Sequence, residues 1–518
     1  MFLCSSVITA LCLVHFGGAS NPHIVFILAD DLGWGDVGYH GSSTINTPNI
    51  DRLAAAGVKL ENYYVQPICT PTRSALLTGK YPIYTGTQEG VIQHTEPWGI
   101  DLNEKILPTY MKEKNYRRHI VGKWHLGFFQ KEYTPVYRDF ESFFGFYNSG
   151  SDYETHYSSI RRNGILYSGL DLHRDIESTA TLAPDLTHIG TNDYSSEMYA
   201  EEARQIILNH DTTKPDEPLF LYFPMQSVHG PLQSSSGCES HFDGVINDPD
   251  RKTMAGMIKC MDDAVGVVEA ALSAKNMLAN SIIIFSSDNG GKARGQLSSN
   301  YPLRGEKGTL YEGAIRVPAF ISSPLLTNPG VFNDLFHVTD WLPTLVALTG
   351  NSFPNTINGV NQWPRIQGIA TNEARDTILL NYRSNQEGLI HKDNNGVWKI
   401  VKDDTNNSDD TWQVPPENDV NEDLCGIIHT KPSSPDDCRT KACLYKLSDD
   451  PCEYNDVRSN LLAKFGKLNR LLKEYKDGTN GVIVASRKQP AENVDANPDN
   501  FMYPPGAATQ YPVWMPWK

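Results

Sequence analysis

The chain lacks surplus positive charge. Its 518 residues carry 45 Lys and Arg against 61 Asp and Glu, a formal net charge of −16. A protein held to nucleic acid by phosphate contacts needs the opposite balance, so no nucleic-acid partner is expected. Any anionic substrate must be drawn by local positive groups, because the overall field repels it. Beyond Ser20 there is no run of the roughly 20 apolar residues that a membrane span requires, so no transmembrane segment is expected. Internal repeats are also missing, which argues against solenoids and propellers. The N-terminus has no charged start. Even so, the apolar run Phe2 to Phe16, followed by small residues from Gly17 to Ser20, reads as a secretory signal peptide over 1–20. The mature chain is then expected in the secretory pathway, either lysosomal or extracellular.

Cysteines are few, and their number is informative. Of nine, Cys4 and Cys12 leave with the leader, and seven remain. An odd count in an oxidising compartment suggests a free thiol or intermolecular pairing. With Cys69 set aside, Cys238, Cys260, Cys425, Cys438, Cys443 and Cys452 can close fully into disulfides, in pairings that sequence alone does not choose. Parity thus marks Cys69 as a candidate, although any of the seven could be the odd one.

The length suggests a large domain plus a smaller one. HIVFILA (23–29), PLFLYFPMQ (218–226) and SIIIFSSD (281–288) read as strands buried on both faces, and RHIVGKW (118–124) as a weaker one. Helical patterns at 47–57, 107–115, 195–210 and 254–272 lie between them. This alternation predicts an α/β domain with a parallel sheet and helices on both faces. HVTDWLPTLVALTG (337–350) reads as its closing helix. Short strands after about residue 372, clustered cysteines and a helix over 458–476 predict a smaller C-terminal α+β domain. The expected division is a large domain over 21–372 and a second over 373–518. A proline- and aromatic-rich tail beyond Pro490 is expected to wrap the surface. Asn406-Asn407-Ser408 is a glycosylation sequon.

Polar residues gather where predicted strands end. HIVFILA runs into Asp30-Asp31, SIIIFSS into Asp288-Asn289, LYFPMQSV into His229, and RHIV into Lys123 and His125. Open α/β sheets bind ligands outside the carboxyl ends of their strands. Asp30, Asp31, Asp288 and Asn289 offer oxygen donors, which suit a hard cation such as calcium or magnesium. Taken alone, Asp-Asp-Leu-Gly is simply a strand-ending turn. A second acidic pair at another strand end shifts the balance toward a metal. Cys69 opens a predicted helix with Pro71 in its first turn and Gly79 as its stop. A helix N-terminus presents bare N–H groups to an anion, and Arg73, one turn on, can reach back toward residue 69. A buried structural cysteine beside a surface arginine is the plain alternative.

These motifs together resemble the sulfatase family. CTPTR followed by SALLTG is similar to the family motif whose cysteine is oxidised to formylglycine, and GKWHLG (122–127) to its second motif. ADDLGWGD, VHGP, SDNGG and RGEKGTLYEGAIRVP follow in the family's order, and LYKLSDDPCEYNDV (444–457) resembles its C-terminal region. Within the family, NIDRLAAAGVKLENYYVQPICTPTRSALLTGKYP and EYTPVYRDFESFFGFYNSGSDYETHY resemble the arylsulfatase B, or N-acetylgalactosamine-4-sulfatase, type. Thr72 stands where Ser or Ala is more usual, and Asn115 where Gly is; Arg117 and Arg118 add positive charge.

The resemblance implies an alkaline-phosphatase-like large domain, with a mixed and mostly parallel sheet between helices, and a small domain with an antiparallel sheet. It implies one calcium ion per chain, bound by Asp30, Asp31, Asp288, Asn289 and the modified Cys69. Cys69 would be converted to formylglycine by a formylglycine-generating enzyme during maturation. The hydrated aldehyde would attack the sulfur of a sulfate ester, with Asp288 accepting a proton. His229 and Lys307 would serve the leaving oxygen, and His125 would remove the second proton and expel sulfate. Lys123 and Arg73 would neutralise charge. By spacing alone, Lys307 is one lysine among many. The implied substrate is a sulfated N-acetylgalactosamine glycan or an aryl sulfate. The alternatives are small-molecule sulfates such as plant metabolites, a related phosphate- or phosphonate-ester hydrolase, and a non-catalytic extracellular binding protein.

Overall fold

Side chains along β1 (His23–Ala29) alternate between two cores: Ile24, Phe26 and Leu28 enter one, and Val25, Ile27 and Ala29 the other. A strand buried on both faces reads as a continuous apolar run for this reason. The computed structural model describes residues 21–162, 164–179, 182–405, 411–413, 424–425, 432, 435–476 and 512–516. The leader, the sequon at 406–408 and most of the tail beyond Pro490 lie outside the described residues.

The large sheet also contains β2 (Val58–Leu60), β3 (Arg117–Lys123), β4 (Ser142–Phe146), β5 (His173–Ile176), β6 (Leu219–Pro224), β7 (Ser281–Ser287), β8 (Ala319–Ser322) and β9 (Gly330–Phe332). Their order is β9-β2-β8-β7-β1-β6-β3-β4-β5. The central run β7-β1-β6-β3-β4 is parallel throughout. Both flanks turn antiparallel, at β8 against β7 and at β5 against β4. The sheet is thus mixed and mostly parallel, with its parallel core where the sequence places the chemistry.

Helices cover both faces. Numbered in chain order, α1 (Pro48–Ala56), α2 (Cys69–Thr78), α3 (Leu107–Lys112), α4 (Ser195–Asn209), α5 (Pro249–Ala274) and α6 (Trp341–Leu348) belong to the large domain. Ala203 and Ile207 of α4 and Met254 and Val265 of α5 pack on the Val25 face. Leu107 of α3, Leu76 of α2 and Leu345 of α6 pack on the Ile24 face. Each of these side chains larger than alanine contributes about 1.5–3 kcal/mol on burial.

A second sheet follows: β10 (Thr377–Arg383), β11 (Gln386–Asp393), β12 (Gly396–Asp403) and β13 (Cys443–Lys446), antiparallel and in chain order. One face takes α7 (Leu462–Lys476) through Leu468 and Leu472. The other face, through Ile378, Ile390 and Val401, packs on Leu310 and Ile315 of the large domain. The loop carrying Lys307 is therefore backed by the small domain. Disulfides join Cys238–Cys260, Cys425–Cys452 and Cys438–Cys443, and Cys69 is free.

The described part of the tail departs from the expected surface wrap. Val513 and Trp514 are fully buried, and residues 512–516 lie against the hairpin strand Ile165–Leu170 of the large domain. Their large apolar side chains gain more from entering the core than from lying over it. Among the described residues, no helix is long and apolar enough to cross a membrane.

Candidate active site

Four parallel strands end on one edge and deliver the polar residues there. β1 leads into Asp30 and Asp31, β7 into Asp288 and Asn289, β6 into the turn before His229, and β3 ends at Lys123. Asp31 and His125 sit at φ 62° and 57°. Such left-handed backbone costs a non-glycine residue free energy and collects at functional sites. Gly290 lets the Asp288-Asn289 turn pack against the helical turn Glu312–Ile315, since a Cβ there would lie 1.8 Å from the Gly313 carbonyl oxygen.

Cys69 is the first residue of α2 and is 1 % exposed. The helix ends as expected, with Gly79 at φ 67° and its N–H donating to the Ala75 carbonyl. The Cys69 thiol lies 3.7 Å from Asp30 Oδ1. Burial pushes it up to about 12, with Lys123 and Lys307 acting against that shift. At neutral pH it is therefore an un-ionised thiol, a poor nucleophile and a poor metal ligand.

Three cations meet three carboxylates around it. Arg73 donates from Nε and Nη2 to Asp288 Oδ2 at 3.1 and 2.7 Å. Lys123 Nζ donates to Asp30 Oδ2 at 2.6 Å, and Lys307 Nζ to Asp31 Oδ2 at 2.7 Å. Arg73, Lys123, Asp30 and Asp288 are all fully buried. Charges this deep persist only when paired. Burial, and next the neighbouring Asp30, raise Asp288 to about 6. Burial works to raise Asp31 as well, yet Lys307 and His229 carry it well below the ordinary carboxylate range. Lys307 is driven upward, its burial outweighed by Asp31 and neighbouring negative groups.

The histidines are held by backbone. The His229 Nδ1–H donates to the Gly230 carbonyl at 2.7 Å, and its Nε2 lies 3.8 Å from Asp31 Oδ2. Burial, then Lys307, lowers His229 to about 3. The His125 Nε2–H donates to the Ile92 carbonyl at 3.0 Å. Its Nδ1 is buried and, among the described residues, has no partner. Burial, then Lys123, holds His125 neutral, so Nδ1 carries a free lone pair.

The oxygens among these donors suit a hard cation. Carboxylate oxygens of Asp30 and Asp31 lie within 4.8 Å of each other and of ligand atoms of Cys69 and His229. Asn289 Nδ2 donates to Asp31 Oδ1 at 2.7 Å, while its Oδ1 is buried and has no partner among the described residues. An orphaned buried oxygen beside carboxylates calls for a cation.

Every residue expected from the sequence thus lies at one strand edge, with His125 one step back from the carboxylates. Sequence reading missed Thr70, whose hydroxyl donates to the His125 carbonyl at 3.0 Å and accepts from the Ile92 N–H at 3.2 Å. It also missed Ile92, which acts through its backbone and leaves no side-chain signal.

The Sulfatase family's sequence model matches residues 22–351. Arylsulfatase J of Mus musculus is 44 % identical over 385 residues, 74 % of this chain and 61 % of that protein; this chain thus spans less than two thirds of its length. N-acetylgalactosamine-6-sulfatase of Sus scrofa is 31 % identical over 396 residues, 73 % of this chain and 72 % of that protein. The crystal structure of Ps i-CgsB in complex with k-i-k-neocarrahexaose superposes with a TM-score of 0.70 at 27 % identity, covering 91 % of this chain and 94 % of that one. The chain belongs to the sulfatase family.

Proposed function

We propose that the protein hydrolyses sulfate monoesters, using an aldehyde derived from Cys69 beside one calcium ion held by Asp30, Asp31, Asp288, Asn289 and the modified residue 69. The observation that carries this reading is the ring of three buried carboxylates held by buried Arg73 and Lys123 and by partly buried Lys307, around a thiol that is itself inert. When present, calcium supplies a charge sink for a sulfate oxygen, and the hydrated aldehyde supplies the attacking hydroxyl.

The chain's own residues divide the remaining work. Arg73 and Lys123 fix Asp288 and Asp30 and offset the charge of an entering sulfate. Asp288, fixed by two donors of Arg73, is the base for the attacking hydroxyl's proton. Lys307 brings positive charge to the leaving oxygen. His229 is neutral beside it and orients through the Gly230 carbonyl. His125 accepts the second proton at Nδ1, because its Nε2–H is committed to Ile92, and this transfer releases sulfate.

The proposed substrate is a sulfated N-acetylgalactosamine residue at a glycan end, with aryl sulfates as surrogates. The names of the relatives support an aryl or amino-sugar sulfate, and the oligosaccharide complex supports a glycan. Three closed disulfides support maturation in the secretory pathway, lysosomal or extracellular, where a formylglycine-generating enzyme is the required partner. The catalytic domain is taken as 21–372 and the small domain as 373–518, with 512–516 returning to the former.

The test compares 4-nitrophenyl sulfate with 4-nitrophenyl phosphate, then 4-sulfated with 6-sulfated chondroitin oligosaccharides. Turnover of the sulfate and release from the 4-sulfated chain are expected. Preference for the phosphate overturns the reaction, and no release from the 4-sulfated chain overturns the glycan assignment.

A further inference from the structure

We propose that the C-terminal strap, residues 512–516, positions both histidines of the candidate site through Trp514. The inference rests on the reading of those histidines given above.

The strap is built into the large domain. Leu170 N–H donates to the Pro512 carbonyl at 2.8 Å, and Trp514 N–H donates to the Leu170 carbonyl at 2.9 Å. Gly169 makes room for the crossing: a Cβ there would stand 3.2 Å from the Pro512 oxygen and 3.3 Å from Trp514 Nε1. The indole is fully buried.

Two branches lead from that indole. Its Nε1–H donates to the Ser158 carbonyl at 2.9 Å, and its ring meets His94 edge-on at 5.1 Å. Ser158 Oγ donates to the Gly150 carbonyl at 2.5 Å, so His94 Nε2–H must be the donor in the 2.7 Å contact with Ser158 Oγ. The first branch continues to His229, because the Gly150 backbone rests on its ring: a Cβ on Gly150 would lie 3.0 Å from His229 Cε1 and Nδ1. The second runs through His94 to Ile92, two residues back, whose carbonyl holds His125 Nε2 and whose N–H is tied to Thr70.

One tryptophan, 356 residues from Ser158 in sequence, therefore fixes the wall behind His229 and the loop that orients His125. It touches no reacting atom and is a positioning residue. Small displacements of positioned groups cost large factors in rate, about 100-fold for 1 Å.

The test uses full-length protein in which the residue-69 peptide has been checked by mass. Trp514→Ala is expected to lower kcat on 4-nitrophenyl sulfate by about 10-fold or more, with KM little changed. Trp514→Phe, which keeps a ring but loses the N–H donor, is expected to fall between Trp514→Ala and wild type. Val513→Ala removes buried strap packing without touching Ser158 or His94, and is expected to keep the wild-type kcat. Hydrogen exchange read by mass spectrometry over residues 86–95 is expected to quicken in Trp514→Phe and not in Val513→Ala. Wild-type kcat and exchange in Trp514→Phe overturn the proposal, as does an equal kcat loss in Val513→Ala. If Trp514→Ala does not fold, the Phe variant decides. If wild type turns over no sulfate ester, the sulfatase reading fails, and the exchange measurement alone decides the strap.

Discussion

Arg73 holds Asp288 through two donors on one carboxylate oxygen, at 2.7 and 3.1 Å, with both side chains wholly out of solvent. Its Nη1 also donates to the Lys123 carbonyl at 3.3 Å. One guanidinium thus joins α2, β3 and the turn after β7 beneath the candidate nucleophile. Its removal leaves Asp288 and Asp30 short of countercharge. Arg73→Ala is expected to cost about 3–5 kcal/mol of stability, the usual penalty for an uncompensated buried charge, and to abolish turnover. Arg73→Lys keeps the charge but not the fork. It is expected to recover stability more than activity, as read by denaturant unfolding and by kcat.

Asn289 tests the metal. Its orphaned Oδ1 is the donor that a cation would satisfy. Calcium is expected to raise the unfolding temperature of wild type, since a ligand that binds only the folded state stabilises it. A chelator is expected to reverse that rise, and Asn289→Leu to shrink it at equal calcium. An equal calcium response in wild type and variant contradicts the assignment.

Much of this site was legible because parallel strands impose a rule. Once 23–29, 218–226 and 281–288 read as buried strands, their following residues had to share an edge. Asp30, Asp31, Asp288, Asn289 and His229 followed from that, and cysteine parity fits Cys69 as the one left free. Lys307 did not follow. It sits in a loop, and its place against Asp31 depends on the small domain packing behind Leu310. The antiparallel strand β8 was also silent, because four buried residues carry too little periodicity to be read. Trp514 was hidden for a similar reason: its partners lie hundreds of positions away, and a proline-rich tail looks alike whether it lies on a surface or enters a core.

His125 is expected to matter for turnover and not for metal. Its Nε2 is committed to Ile92 and its Nδ1 is bare. His125→Ala is expected to lower kcat about 100-fold or more, the ordinary worth of a general base, while keeping the calcium-induced rise in unfolding temperature. Loss of the calcium response in this variant contradicts the assigned role.

The interface between the domains carries a pH-dependent element. Lys399 Nζ lies 3.1 Å from Glu312 and 2.8 Å from Glu453, all buried. Burial is the main force raising Glu453 from 4.5 to about 7; Lys399 opposes it, and Glu312 adds to it. The folded state therefore holds this proton more tightly than the unfolded chain. Its contribution to stability is full below about pH 4.5 and is lost as pH rises through about 7. Glu453→Gln is expected to flatten that decline between pH 5 and pH 7 in thermal unfolding. An unchanged slope contradicts the assignment.

The central claim concerns the chemical state of one atom, and the mass of the tryptic peptide Leu60–Arg73 tests it most directly. In active enzyme that peptide is expected to be about 18 Da lighter than its sequence requires, since CH2SH has become CHO, and to react with hydrazine reagents. A peptide of unaltered mass, carrying a thiol that iodoacetamide alkylates, in material that turns over sulfate esters at full rate would contradict the account.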